Sequence, residues 1–432
     1  MHDFRYVGNR LFCERVAIAS LVKKFGTPLY VYSQRTLTDH FQKLDDALAP
    51  LDHLICFAMK ANSNAAVMRT LANLGSGFDV VSEGELRRVI AAGGDPKKCV
   101  FAGVGKTEPE IEFALRRGIY CFNVESEPEL ARINRVAARL KKIAPIAVRV
   151  NPNVDAHTHA KITTGTYENK FGIAIEQVEG VYARARKLKN LRLRGLQMHI
   201  GSQLTEVKPF EQAVEKVLPL VSRLASKYGF EFFSIGGGLG IIYNPALESG
   251  GASWWQSARA RHILTPKTYA ATLLPLLLPL GLRILVEPGR FIVGNAGILV
   301  TRVEYVKRTG QKNFVIVDAA MNDLIRPAFY DSYHEIVPVA HKNGALIASD
   351  VVGPICESGD YFAKNRPLPR VGEGDHLALL SAGAYGFVMA SNYNSRGLVA
   401  EVLVNGNQAA LVRQRQPLPQ IWAAEKIPAW LR

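Results

Sequence analysis

Between about residue 28 and residue 286, short apolar runs alternate with longer segments in which apolar positions return every three or four residues. Leu54–Met59, Val100–Ala102, Tyr120–Val124, Ile146–Val150, Leu193–Ile200, Phe230–Ile235 and Arg283–Val286 are short and largely apolar, which predicts buried strands. The segments between them suit helices. Glu83–Ala92 places Leu86, Val89 and Ile90 on one face, and Glu127–Lys142 does the same with Leu130, Ile133, Val136 and Leu140. Ser82 and Ser126 stand where each helix needs an N-cap. A strand-helix alternation sustained over this length predicts a parallel (β/α)8 barrel of the TIM type.

After Pro288 the pattern changes. Gly297–Lys307, Asn313–Asp318, Glu335–Val339, His376–Leu380 and Leu398–Val404 are strand-like and separated by turn residues, with little room for long helices. Phe4–Leu11 and Pro28–Val31 also have strand character. The expected class is therefore α/β plus β: residues 1–35 contribute strands to a β domain, 36–286 form the barrel, and 287–432 form a mostly antiparallel C-terminal β domain.

Composition narrows the function classes. With 432 residues, 48% hydrophobic and 21% charged, the chain has a globular composition and enough length for two domains. The net charge of +15 is scattered rather than gathered into a basic tract, so a solvated basic surface that attracts anionic ligands is expected, not a nucleic-acid partner. Five cysteines without a CxxC pair predict neither structural zinc nor a disulfide framework. No metal site is expected. The N-terminal residues lack an apolar signal core, and Leu273–Val286 is broken by Pro275, Pro279 and Arg283, so the expectation is a cytoplasmic protein without a membrane anchor.

The candidate chemistry sits at predicted strand ends. Lys60, in Cys56-Phe-Ala-Met-Lys60, ends an apolar strand where the βα loops of a barrel build active sites. Partial desolvation there would free its amine for Schiff-base chemistry. On its own it reads as a surface lysine just beyond a strand. Ser234-Ile-Gly-Gly-Gly-Leu-Gly240 follows another strand, and successive glycines allow backbone N–H groups to approach a phosphate. Glu287-Pro-Gly-Arg290 sets a carboxylate and a guanidinium on either side of a rigid turn, suited to a protonated ring nitrogen and an anion. His199 and Ser202 lie at a further strand end, where an imidazole could stack on a ring and a hydroxyl could reach a phosphate. In the β domain, Cys356 stands beside Glu357.

The joint occurrence of these motifs closely resembles the fold-type III pyridoxal-phosphate decarboxylases, whose architecture is alanine-racemase-like. The resemblance runs through nearly the whole chain. It includes Phe57-Ala-Met-Lys60-Ala-Asn62, Gly77-Phe-Asp79-Val-Val-Ser82, Thr164-Gly-Thr-Tyr-Glu-Asn-Lys170-Phe-Gly172, His199-Ile-Gly-Ser202, Gly236-Gly-Gly-Leu-Gly240, Glu287-Pro-Gly-Arg290, Arg326-Pro-Ala-Phe-Tyr330, Cys356-Glu-Ser and Ala384-Tyr385-Gly386. It implies that pyridoxal 5'-phosphate is the cofactor and that Lys60 carries it. Asp79, His199, Ser202, Gly237, Gly238, Glu287, Pro288, Gly289, Arg290 and Tyr385 are then the cofactor-binding positions. Glu287 would favour a protonated ring nitrogen, whereas the similar racemases place an arginine there. Cys356 would be the catalytic proton donor, in a homodimer whose active sites are shared.

The resemblance is strongest to the members that act on meso-diaminopimelate, a small amino acid with a second amino acid group at its far end. Arg290, Arg326 and Tyr330 are the implied carboxylate-binding positions, with Glu357 near the distal ammonium, and Tyr385 is a further implied substrate-binding position. Buried arginines left without their carboxylate would disfavour other substrates by roughly 10⁴-fold. The alternatives are relatives acting on ornithine, arginine or carboxynorspermidine, a non-enzymatic cofactor-binding barrel, and a basic nucleic-acid-binding protein. Phe329 stands where leucine is common, and Asn244–Pro266 has no counterpart in the pattern.

Overall fold

An apolar strand buried on both faces is satisfied when a parallel sheet closes on itself and helices cover its outside. The computed structural model, which describes residues 1–154 and 170–431, has this arrangement in its first unit, Leu37–Ile241 with Ala258–Ile292. Among the described residues, eight parallel strands close a barrel in chain order: His53–Ala58, Gly77–Val80, Cys99–Phe101, Cys121–Val124, Ala144–Asn151, Leu191–Met198, Phe232–Ser234 and Arg283–Val286. Arg283–Val286 pairs back onto His53–Ala58 and completes the ring.

The strand Gly77–Val80 is one that the apolar pattern alone does not announce. It opens on glycine and carries an aspartate, so no apolar run marks it. Gly77 is nevertheless required, because a Cβ there would lie 2.3 Å from the Lys98 carbonyl oxygen. The flanking helices begin where the serines predict. Ser82 Oγ accepts from the Glu85 N–H at 3.2 Å, and Ser126 Oγ accepts from the Glu129 N–H at 3.4 Å. Cys56, Val100, Cys121, Ala147, Phe232 and Leu285 form an apolar cluster inside the barrel. This leaves polar side chains nearer the strands' C-terminal ends to build a site.

The second unit comprises Met1–Thr36, Ile242–Ser257 and Val293–Arg432. Its larger sheet is antiparallel except for two parallel pairings, Leu29–Ser33 with Ala400–Asn405 and Asn313–Val317 with Leu346–Val352. The N-terminal strand Leu29–Ser33 lies between Gly297–Arg308 and Ala400–Asn405, so it belongs to the sheet built mainly by the C-terminal half. Leu346–Val352, Tyr361–Pro369 and Gln408–Arg413 are further strands that the sequence pattern does not single out. Tyr361–Pro369 and Gln408–Arg413 are the two edges of this sheet, and their polar content fits edges with one wet face, whereas Leu346–Val352 lies between Asn313–Val317 and Tyr361–Pro369. Ile242–Ser257 falls within the barrel's stretch of sequence but clusters with this second unit, and Ala246 joins its apolar core beside Phe4, Leu11 and Val339.

Candidate active site

The site begins where the first barrel strand runs out. Lys60 sits in the short helical turn Met59–Ala61 directly after His53–Ala58. Its Nζ is 2.5 Å from Asp79 Oδ2. Parallel pairing of Ala58 with Asp79 brings the two together, since Asp79 lies on the neighbouring strand at the same height. The Lys60 side chain is 40% exposed whereas that of Asp79 is 1% exposed. Asp79 Oδ1 has no hydrogen-bond partner among the described residues.

Glu287 follows the last strand and is 6% exposed. Ser234 Oγ donates to its Oε1 at 2.7 Å, Gln197 Nε2 donates to its Oε2 at 2.9 Å, and Asn123 Nδ2 lies 3.4 Å from Oε1. Asn123 and Glu287 belong to opposite sides of the eight-strand ring, so they meet only because both point into the barrel. Burial, followed by the nearby Asp79 charge, pushes the Glu287 carboxyl up to about 7; Ser234, Lys60 and Gln197 oppose that rise.

This shift predicts a pH effect on stability. Between the ordinary value of 4.5 and about 7, the folded chain retains a proton that the unfolded chain has released. The stability from this group is therefore present in full below pH 4.5 and lost as pH rises through about 7. In cofactor-free protein, the melting temperature of wild type relative to Glu287→Gln should fall across that window. Parallel melting profiles would refute the assignment.

His199 is held at the end of the strand Leu191–Met198, and its Nδ1 accepts from the Gly237 N–H at 3.2 Å. Burial, Arg149 and Lys60 hold its imidazole well below the usual histidine range, so the ring is neutral. Gly236 and Gly237 are glycines for steric reasons. A Cβ at Gly236 (φ +72°) would lie 2.2 Å from the Met198 carbonyl oxygen, and one at Gly237 would lie 2.2 Å from that of Glu287. Gly238 has φ +111°. On the other side, the Pro288 carbonyl accepts from the Ala58 N–H at 2.9 Å, and Gly289 packs against Ala58 and Ala61. Arg290 is buried, and its Nη2 donates to Ser202 Oγ at 3.2 Å. Thus Lys60, Asp79, His199, Ser202, Gly237, Gly238, Glu287, Pro288, Gly289 and Arg290 all lie at strand ends of the barrel unit.

A lysine amine, a buried carboxylate, a neutral flat imidazole and a glycine turn too tight for any side chain fit a phosphorylated, ring-nitrogen cofactor with a carbonyl for the lysine. The model of the family described as "Pyridoxal-dependent decarboxylase, pyridoxal binding domain" matches residues 34–294. The chain belongs to the pyridoxal-dependent decarboxylases. As such it is similar along its whole length to a protein of Pseudomonas aeruginosa named diaminopimelate decarboxylase, 50% identical over 428 residues, covering 99% of each chain. Among solved structures it is similar to the diaminopimelate decarboxylase of M. jannaschii in complex with L-lysine (35% identity, TM-score 0.91, 100% of each chain). The Helicobacter pylori diaminopimelate decarboxylase, also complexed with L-lysine, is 38% identical with TM-score 0.87, covering 94% of this chain and 98% of that one.

The remaining sequence-predicted positions of this decarboxylase lie in the β unit. Arg326 and Tyr330 begin and end one five-residue helix; Arg326 is buried and Tyr330 half-buried. Cys356 and Glu357 are exposed neighbours on one turn. The Cys356 N–H donates to Asn394 Oδ1 at 3.4 Å, and Glu357 Oε2 accepts from the Tyr393 hydroxyl at 2.9 Å. Buried Asp360 closes the turn by accepting from the N–H groups of Ile355 and Met321, each at 2.7 Å. Tyr385 is half-buried with φ +55°. Residues 164–169 of the Thr164–Gly172 motif lie outside the described residues.

Sequence reasoning gave no role to Asn123, Gln197 and Ser234, which hold Glu287, or to Arg149, whose Nη1 donates to Glu125 at 3.0 Å. The available signal is a polar residue within an otherwise apolar strand, as in Cys121-Phe-Asn123-Val and Ala147-Val-Arg149-Val. Among the described residues, no helix is long and apolar enough to cross a membrane.

Proposed function

We propose that this pyridoxal-dependent decarboxylase converts meso-2,6-diaminopimelate to L-lysine and CO2, the last step of lysine biosynthesis. The observation that carries the chemistry is the buried Glu287 carboxylate, gripped by Ser234 and Gln197 inside the same barrel end as Lys60. The substrate follows from full-length relatives named for it. When bound, pyridoxal phosphate supplies an electron sink for the pair left on carbon as the C–C bond to CO2 breaks.

Lys60 Nζ would hold the cofactor covalently, and Asp79, 2.5 Å away, would orient the Lys60 amine. Glu287 keeps a proton at the ring nitrogen, which is what makes the ring an effective sink. His199 presents a neutral imidazole face to the ring. Ser202 and the backbone of Gly237, Gly238 and Pro288–Gly289 bind the phosphate, and Tyr385 borders the cofactor. Arg290, Arg326 and Tyr330 bind the distal carboxylate, and Glu357 the distal ammonium. Cys356 Sγ delivers a proton to the carbon that has lost CO2 and regains one from solvent. Each site is completed by the neighbouring subunit of a cytoplasmic homodimer.

The direct experiment supplies purified holoenzyme with meso-diaminopimelate and measures CO2 and L-lysine, expected in equal amounts. Putrescine from ornithine, with no lysine formed, would overturn the substrate. Cys356→Ala is expected to slow turnover by about 10²-fold while cofactor absorbance persists. Mixing inactive Lys60 and Cys356 variants should restore activity once subunits exchange. Failure despite demonstrated exchange would refute shared sites.

A further inference from the structure

Arg326 occupies a built cage within the β unit. Its guanidinium lies 4.9 Å over the Tyr243 ring, its Nη1 is 2.9 Å from His334 Nε2, and its Nη2 donates to Ser332 Oγ at 3.2 Å. His334 is 0% exposed, and its Nδ1 is 2.8 Å from the Leu380 carbonyl oxygen. A guanidinium only donates and a carbonyl only accepts, so the two contacts assign one tautomer. Nδ1 carries the proton and the Nε2 lone pair faces Arg326. Tyr243 also meets His334 edge-on, with ring centres 5.4 Å apart.

Tyr243 comes from Ile242–Ser257, the segment that clusters with the β unit although it interrupts the barrel's sequence. Three contacts fix that segment. The Ile242 carbonyl accepts from Asn295 Nδ2 at 3.1 Å, the Leu247 N–H donates to Glu335 Oε2 at 2.8 Å, and His2 Nε2 is 2.8 Å from the Ala246 carbonyl.

We propose that Tyr243, Ser332 and His334 are positioning residues that determine substrate specificity by orienting Arg326. A guanidinium carries its donors in one plane. The Tyr243 face sets that plane, and two acceptors set the rotation within it, which fixes the directions along which a carboxylate can pair. An arginine pre-set in this way loses less freedom on binding than a mobile one. The inference rests on the reading that Arg326 binds the distal carboxylate, and it supplies a function for the inserted segment.

The test uses holoenzyme and compares two competitive inhibitors. L-lysine retains the carboxylate that survives the reaction; 1,5-diaminopentane lacks it. His334→Leu should raise the KM for meso-diaminopimelate and the inhibition constant of L-lysine by roughly tenfold or more, with a far smaller change in kcat and none in the diamine's inhibition. His334→Gln, which keeps a donor and an acceptor, should restore most of the loss. Equal weakening of both inhibitors would overturn the proposal, because it would mark a general structural defect. Arg326→Lys is measured alongside. If it leaves KM and L-lysine inhibition unchanged, the reading of Arg326 itself fails; if it shifts them and His334→Leu does not, the cage fails. Should His334→Leu not fold, Tyr243→Leu and Ser332→Ala carry the same comparison.

Discussion

Lys60→Ala is expected to abolish the visible absorbance of bound cofactor and to lower turnover by roughly 10⁴-fold, the upper end for a single acid–base group. The loss would be large because, in the proposed function, this one amine anchors the cofactor. Truncation also leaves the buried Asp79 carboxylate without the ammonium 2.5 Å away, which should cost about 1–3 kcal/mol of stability in the cofactor-free protein. Lys60→Arg separates the two effects. It can still pair with Asp79 and hold the fold, yet it cannot bond the cofactor, so its absorbance and turnover should stay as low as those of Lys60→Ala. A cofactor absorbance in either variant would refute Lys60 as the anchor.

Glu287→Gln should lower kcat by roughly 10²–10³-fold, the usual cost of removing a group aimed at charge that develops during reaction. The side chain keeps its size, so Ser234 and Gln197 still find partners in place. Cofactor binding should persist, because the lysine and the phosphate turn are untouched. What would be lost is the anion proposed to hold a proton at the ring nitrogen. The same substitution should not weaken the cofactor-free fold above pH 7, since it removes a carboxylate that burial disfavours in its charged form. A variant that binds cofactor normally and turns over at the wild-type rate would show that Glu287 does not serve the sink. Glu287→Asp, which restores the charge at a shorter reach, should recover part of the rate.

Much of the barrel is legible along the chain because each strand is buried on both faces and so appears as an apolar run. The exception, Gly77–Val80, is exceptional for a functional reason: the residue that breaks its run, Asp79, is the one that holds Lys60. The β unit is less legible. Edge strands such as Gln408–Arg413 keep polar residues on their exposed side, and the partner of Leu29–Ser33 lies hundreds of residues away, beyond the reach of any local pattern. Ile242–Ser257 is read wrongly by position alone, because its fixing contacts run to residue 2, to Asn295 and to Glu335.

The sequence by itself determined the barrel, the strand ends and the residue types that stand at them, because periodicity and turn chemistry are local properties. Tertiary structure alone decided which of those groups act on one another. Glu287 is just a carboxylate after a strand until closure of the ring brings Asn123, Gln197 and Ser234 around it and excludes water, which raises its proton affinity. Arg326 is just the start of a short helix until Ser332 and His334 fold back on it and Tyr243 arrives from a distant segment of the chain. Burial and the meeting of distant side chains are properties of the folded chain, and they turn a list of suitable residues into a site.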